Sequence, residues 1–327
     1  MKYVLVSGGA GYIGSHTVAL LAESGYFPIV YDNFSRGHRD FVLWGDCVEG
    51  DISDTDTVLN VLEKYKIKDI IHFAAFAYVG ESVANPSLYY ANNVVGTYKL
   101  LDAARIAGVE NFIFSSTCAT YGIPASSPIN ESFPQNPINP YGWSKLMIEK
   151  MLFDYKAAYG INYGILRYFN AAGADPMARI GERHCPETHL IPLVLDAAAG
   201  IRDSVTIFGS DYNTPDGTCI RDYIHVADLA LAHLKVLDKM GKEKQSYIFN
   251  LGNECGVSVA EIIDAVKNVT GKQFKVVQGA RRPGDPDELV ANASLAAEVL
   301  DWRPKFADIR IIIEHAWKWH LKENSNK

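Results

Sequence analysis

The sequence predicts an α/β protein, a doubly wound parallel sheet followed by a smaller C-terminal α/β domain. Three observations carry that reading. Short, almost wholly apolar segments alternate with amphipathic ones through the first half of the chain, as strands buried on both faces and their covering helices do. The first apolar segment runs straight into a glycine-rich turn and then a helical pattern. The alternation fades near residue 170, where a long stretch rich in Gly, Pro, His and charge begins.

Taken in order, Lys2–Ser7 reads as a strand, Tyr12–Ser24 as an amphipathic helix and Phe27–Tyr31 as a second strand. Asp54–Tyr65 reads as a helix capped by Ser53 or Asp54, because a short side-chain acceptor satisfies the free amides of a first turn. A strand at Asp69–Phe73, a long helix at about Leu88–Ala107 and a strand at Asn111–Ser115 follow. Pro140 precedes Met147, Ile148, Met151 and Leu152 at helical spacing, so a helix is expected over Tyr141–Tyr159, then a strand over Ile161–Arg167. Ala171–Thr188 reads as a long loop of the kind that usually serves a site. Beyond it, helices are expected at His189–Gly200, Asp228–Met240, Val257–Thr270 and Asp308–Leu321. Strands are expected at Val205–Phe208, Tyr223–Val226 and Tyr247–Leu251, with a polar loop at Ser210–Arg221. The expected division is 1–170 for the first domain and mainly 171–327 for the second, with segments of about 221–251 returning to the first.

The 327 residues, 48% hydrophobic, suffice for a large core. A net charge of −7 with both signs interspersed argues against nucleic acid or an anionic membrane as the main partner. No apolar run approaches the ~18 residues a membrane span requires. The five cysteines, Cys47, Cys118, Cys185, Cys219 and Cys255, are odd in number and lack C-x-x-C spacing, against a disulfide framework or a structural zinc site. Met1–Val6 reads as a strand and lacks a leader pattern. A cytoplasmic location is expected.

The first strand ends in Gly8-Gly9-Ala10-Gly11-Tyr12-Ile13-Gly14. Glycines there permit a tight turn and let backbone amides approach a pyrophosphate at a helix N-terminus. Asp32 stands 18 positions after Gly14, at the end of the second strand, where a carboxylate can accept from an adenosine ribose and repel a 2′-phosphate. A dinucleotide is the expected ligand, NAD rather than NADP; a turn serving only close helix packing is the other reading. Ser115-Ser116-Thr117 closes a later strand, and Thr117 there could meet a substrate hydroxyl or satisfy only its own turn. Tyr141 and Lys145 fall one helical turn apart. An ammonium so placed should lower the phenol's pKa and make it a base, although the spacing also arises by chance on solvated helices.

With Asp32-Asn33, Gly50-Asp51-Ile52, His72-Phe73-Ala74-Ala75, Val79-Gly80-Glu81-Ser82, Leu166-Arg167-Tyr168-Phe169-Asn170, Arg221-Asp222-Tyr223 and Arg281-Arg282-Pro283-Gly284-Asp285 added, the chain resembles the extended short-chain dehydrogenase/reductase family, within it the UDP-hexose 4-epimerases, from Val4 to about Trp319. The resemblance implies a Rossmann domain holding NAD through Gly8, Gly11, Tyr12, Ile13, Gly14, Asp32, Asn33, Phe34, Ser35, Gly37, Asp51 and Ile52. Phe73, Ala74, Ala75, Ala77, Asn92 and Phe169 would lie further along the cofactor, with Lys145 on the nicotinamide ribose. Tyr141 would be the acid/base, Lys145 would assist it and Thr117 would touch the sugar. Asn170, His189, Leu190, Thr206, Phe208, Arg221, Tyr223, Arg282, Asp285 and Leu289 would hold the nucleotide sugar. Arg221 and Arg282 suit that role, because a guanidinium matches phosphate oxygens as a fork; surface ion pairing is their other reading.

The implied reaction is reversible inversion at C4 of a UDP-hexose in galactose and nucleotide-sugar metabolism: oxidation to a 4-keto sugar, rotation and re-reduction. The implied assembly is a homodimer packing Leu88–Ala107 and Tyr141–Tyr159 against their mates. Three positions depart from the family pattern. Ala77 stands where many relatives have Lys, His189 where some have Asn, and Leu289 where residue size sets tolerance of N-acetylhexosamines. UDP-N-acetylhexosamine and UDP-pentose epimerases remain alternatives. A nucleotide-sugar 4,6-dehydratase would need an acid and a base after Thr117, where Cys118-Ala119 stand. A non-catalytic NAD sensor would not need Tyr141, Lys145 and Thr117 together. A metal centre on His184, Cys185 and His189 is not expected, for want of carboxylates at a clear spacing.

Overall fold

The computed structural model describes residues 2–282 and 284–325; Pro283, within the Arg281–Asp285 motif, lies outside them. The chain opens with β1 (Lys2–Ser7), α1 (Tyr12–Glu23), β2 (Tyr26–Asp32), β3 (Asp46–Glu49), α2 (Thr55–Lys64) and β4 (Asp69–His72). Next come α3 (Val79–Ala84), α4 (Pro86–Tyr89), α5 (Gly96–Ile106), β5 (Asn111–Thr117), α6 (Pro140–Tyr159) and β6 (Asn162–Tyr168). β7 (Asn170–Ala172), α7 (Leu190–Ala198), β8 (Ser204–Phe208), β9 (Ile220–His225), α8 (Val226–Glu243) and β10 (Tyr247–Leu251) follow. The chain closes with β11 (Gly256–Ser258), α9 (Val259–Thr270), β12 (Lys275–Gly279), β13 (Glu288–Leu289), α10 (Ser294–Leu300) and α11 (Ile309–Ser325).

Seven parallel strands form the main sheet in the order β3-β2-β1-β4-β5-β6-β10. The winding direction reverses between β1 and β4, and ligands of such sheets bind beyond the carboxyl ends of the strands at that reversal. Here the two loops touch: a Cβ on Gly8 would lie 2.5 Å from the Ala74 amide nitrogen. One face is covered by α1 and α8, through Val18, Leu21, Leu229, Val236 and Met240. The other is covered by α2, α5 and α6, through Val58, Leu62, Leu100, Leu101, Ile148 and Leu152. Each such side chain contributes about 1.5–3 kcal/mol by leaving water. β9 pairs with β7, β11 and β13, and β12 with β8, apart from the main sheet. Ile191, Val194, Ile262, Val266, Ile312 and Ile313 form a third core there. Among the described residues no helix is long and apolar enough to cross a membrane.

The helix expected at Leu88–Ala107 differs in kind. It begins earlier, at Pro86 with Asn85 as cap, and passes through a π turn at Tyr90–Val95. The extra residue re-aims Asn93 into the core, where its side chain accepts from the Phe76 amide at 2.9 Å and donates to Ser144 at 3.1 Å. The strand read at Tyr223–Val226 runs from Ile220 to His225, because the His225 side chain caps α8 by accepting from Ala227 N at 3.0 Å. β5 continues to Thr117 through pairing with Tyr168. β3, α3, β11, β12, β13 and α10 are short or mixed in polarity and carry no clear period.

Four buried histidines set an acid limit on this fold, His225 among them, which burial lowers to about 3. Burial pushes His16 from 6.5 to about 4, His72 to about 3 and His233 to about 4. These folded-state values lie below the unfolded one, so the unfolded chain binds protons more readily between them. Stability is therefore full above about pH 6.5 and lost as pH falls, by up to about 1.4 kcal/mol per pH unit for each group. Urea midpoints should drop steeply from about pH 7 to about pH 5; a flat profile would show that these rings are charged when folded.

Candidate active site

Tyr141 is positioned by the way α6 starts. The Asn139 side chain accepts from Gly142 N at 2.8 Å and Pro140 occupies the first turn, which fixes the helix origin. A Cβ on Gly142 would lie 2.6 Å from the Ala119 carbonyl oxygen. Only glycine lets this turn abut the chain leaving β5, and that contact brings Tyr141 to Thr117. The two side chains are hydrogen-bonded, the Tyr141 ring partly exposed and its hydroxyl enclosed. Lys145 Nζ donates to the Ser115 carbonyl at 2.8 Å and lies 5.9 Å from the centre of the Tyr141 ring.

Burial dominates the electrostatics of the pair. Burial pushes the Tyr141 phenol up to about 12, and the Thr117 hydrogen bond opposes it only in part. Burial also lowers Lys145 to about 7, against the pull of Glu149. Lys145 aims at the β5 backbone and does not offset the desolvation of the phenol. The pair is assembled, but protein charge alone does not make Tyr141 a phenolate.

Beneath the pair, a buried ion pair ties α6 to the sheet. Glu149 accepts from Arg167 Nε at 3.0 Å and Nη2 at 2.6 Å, from Ser116 Oγ at 2.5 Å and from Gln135 at 2.8 Å. Arg167 Nη1 also donates to Tyr121 at 2.9 Å, and Tyr121 to Asn250 on β10 at 2.7 Å.

The glycine loop is shaped by close approach. A Cβ on Gly14 would stand 2.1 Å from the Gly8 oxygen, and Gly8 has φ +74°. Gly11 begins α1 with no side-chain cap and no acid in the first turn, leaving amides free for an anion. Asp32 accepts from Ala10 N at 3.0 Å and Phe34 N at 2.8 Å; burial raises its pKa against those bonds. A Cβ on Gly37 would sit 2.8 Å from Asp32 Oδ1, so glycine keeps the space before that carboxylate clear. Asn33 donates to Asp51 at 2.7 Å and accepts from Ser35 N at 3.0 Å. Burial would raise Asp51, but bonds from Ser53 and Asn33 hold it below the usual carboxylate range. Ile52 is buried and Ile13 packs on the α1 core. Tyr12 turns its hydroxyl to the Gly173 carbonyl, 2.6 Å away.

Phe73, Ala74 and Ala75 follow β4 at the reversal, with Phe73 against His233 at 4.7 Å. Asn92 donates to Asn93 at 2.9 Å, and Ala77 is exposed. Phe169 is buried beside Tyr121, with Leu289 and Cys118 packed on the same cluster. Leu289 pairs in register with Arg221, whose guanidinium meets Asp285 at 2.5 Å. Asn170 pairs with Tyr223 across β7 and β9 and donates to the Asp222 carbonyl at 2.9 Å. Arg282 lies over the exposed Phe208 ring at 4.3 Å, and Thr206 stands two positions earlier on β8. His189 precedes Leu190 at the start of α7 and contacts Glu182.

Residues 4–252 match the NAD dependent epimerase/dehydratase family. The chain belongs to this family. A family member from Rhizobium meliloti (strain 1021), UDP-glucose 4-epimerase, is 52% identical over 321 residues, 98% of this chain and 98% of its own. The crystal structure of UDP-glucose 4-epimerase from Brucella ovis in complex with NAD has a TM-score of 0.95 and 53% identity, covering 97% of this chain and 98% of that one. The UDP-Glc/GlcNAc 4-epimerase of Campylobacter jejuni is 43% identical at a TM-score of 0.87, covering 98% of this chain and all of its own.

Two features of this family member were not visible in sequence. Arg36 donates to Glu81 at 2.8 Å and to the Cys185 carbonyl at 3.1 Å, under the Phe76 and Tyr78 rings; a single arginine in a loop gives no such signal. The carboxylates near His184 have no clear ligand spacing in sequence, yet the fold brings them together. Glu182 and Glu187 fold back onto His184 and His189, while Cys185 turns outward.

Proposed function

We propose that the protein is an NAD-dependent isomerase that inverts C4 of a UDP-hexose, interconverting UDP-glucose and UDP-galactose. The observation that carries this reading is the meeting of Thr117, Tyr141 and Lys145 at the carboxyl end of β5. NAD fits the uncapped α1 N-terminus and the Asp32 carboxylate kept clear by Gly37. When bound, it supplies a reversible hydride acceptor. In its phenolate form Tyr141 takes the proton of the 4′-hydroxyl, holds it while the 4-keto sugar turns over, and returns it on the other face. Thr117 orients that oxygen and favours the phenolate by its hydrogen bond, and Lys145 adds positive charge when protonated. Arg221, held by Asp285, and Arg282 stand where a diphosphate could be gripped while the hexose stays loosely bound.

Dehydration is disfavoured at the same place. Burial pushes the Cys118 thiol up to about 12, and Ala119 has no proton to exchange, so neither residue following Thr117 supplies the base that elimination of water needs. Leu289, beside Cys118 and Phe169, is the residue on which tolerance of an N-acetyl group turns. Purified protein should convert UDP-galactose to UDP-glucose with no net cofactor consumption. UDP-N-acetylgalactosamine and UDP-arabinose assayed alongside define the sugar, and no turnover of any of them would sink the proposal. The exposed apolar side chains Val95, Tyr98 and Ile106 before and on α5, with Trp143 and Met147 on α6, suit a homodimer; a monomer in sedimentation would refute it. The five free cysteines suit the cytoplasm.

A further inference from the structure

We propose that Glu182, His184, Glu187 and His189 form a site for one divalent cation of the zinc class. The ligand atoms of these four residues all lie within 4.8 Å of one another. His184 Nδ1 is 3.3 Å from Glu182 Oε1 and 3.4 Å from Glu187 Oε2. Ligands about 2.0–2.1 Å from a tetrahedral ion are about 3.3–3.4 Å apart, so these two separations match coordination edges, while the closer pair of His189 and Glu182 would have to part. His184 Nδ1 is buried and faces both carboxylates at once, farther from each than an ordinary hydrogen bond.

The loop also holds its donors in place. The Trp319 indole donates to the Glu182 carbonyl at 2.9 Å, and Gly181 lies where any Cβ would strike that ring. Glu187 Oε1 accepts from Thr188 N at 2.7 Å and His189 N at 2.8 Å, leaving Oε2 to face His184. Edge contacts from Tyr12, Tyr78 and His189, with ring centres 6.2, 5.8 and 5.0 Å away, fix the His184 ring. Two imidazoles select a borderline transition ion over magnesium or calcium, and two carboxylates balance its charge. Uptake parts His184 and His189 from the two glutamates and releases the protons that these imidazoles hold there. His189, the most exposed member, leaves room for a further ligand on that side. The site shares His189 with the residues the family resemblance assigns to the nucleotide sugar, but its test is separate, because metal content is measured without turnover.

The test uses the full chain without a histidine tag, stripped with a chelator and dialysed against Zn²⁺ or Co²⁺. One equivalent of zinc is expected, and the cobalt form should show d–d bands without a thiolate charge-transfer band. Glu187→Gln and His184→Asn should each weaken uptake about 10–100-fold, while Cys185→Ser should leave it unchanged. Should His184→Asn fail to fold, the other two variants decide. Absence of uptake, uptake indifferent to Glu187→Gln, or uptake lost with Cys185 overturns the proposal.

Discussion

Tyr141→Phe should lower kcat by about three orders of magnitude while bound cofactor is retained. The phenolic oxygen is the group that Thr117 meets at the end of β5, and Cys118, its neighbour there, stays protonated. The phenylalanine ring keeps the edge contact with Tyr89, at 6.5 Å between centres, so the loss should be chemical rather than structural. Conversion of UDP-galactose and the absorbance of protein-bound NAD, measured on one preparation, separate the two. A variant turning over near the normal rate would place the base elsewhere.

Glu149→Leu should destabilise the protein by about 3–5 kcal/mol, because the buried Arg167 loses its counter-charge. Both side chains are almost wholly enclosed, 3% and 0% exposed for Arg167 and Glu149. Adding Arg167→Met should recover much of the loss, since an apolar pair of similar volume needs no counter-charge. Urea unfolding of the wild type and three variants closes the cycle. A single-variant loss below about 1 kcal/mol would mean that water reaches the guanidinium.

The parts legible in sequence are those written in local pattern. The glycine loop, Asp32 at the end of the second strand and Pro140 ahead of a periodic run each announce their place. Lys145 following Tyr141 by one turn made their shared helix face predictable. Long-range and tertiary properties were not legible. Glu149 and Arg167 lie on different elements, and nothing in either neighbourhood foretells their meeting. The rise in the Tyr141 pKa comes from burial, which spacing does not reveal. The π turn depends on Asn93 reaching Phe76 and Ser144. The carboxylates around His184 converge because Trp319, far along the chain, pins the Glu182 backbone.

The late arrival of β10 has a consequence for how the protein is made. That strand pairs with β6, and α8, synthesised just before it, covers one face of the sheet. Until both have left the ribosome, the nascent chain carries a bare strand edge and an uncovered apolar face. At ~5–20 residues per second that exposure lasts several seconds, long enough for an unpaired edge to find another chain. The half of the molecule that holds the glycine loop and Tyr141 is thus finished by the half that follows it, and a nascent-chain chaperone has its clearest task in that interval.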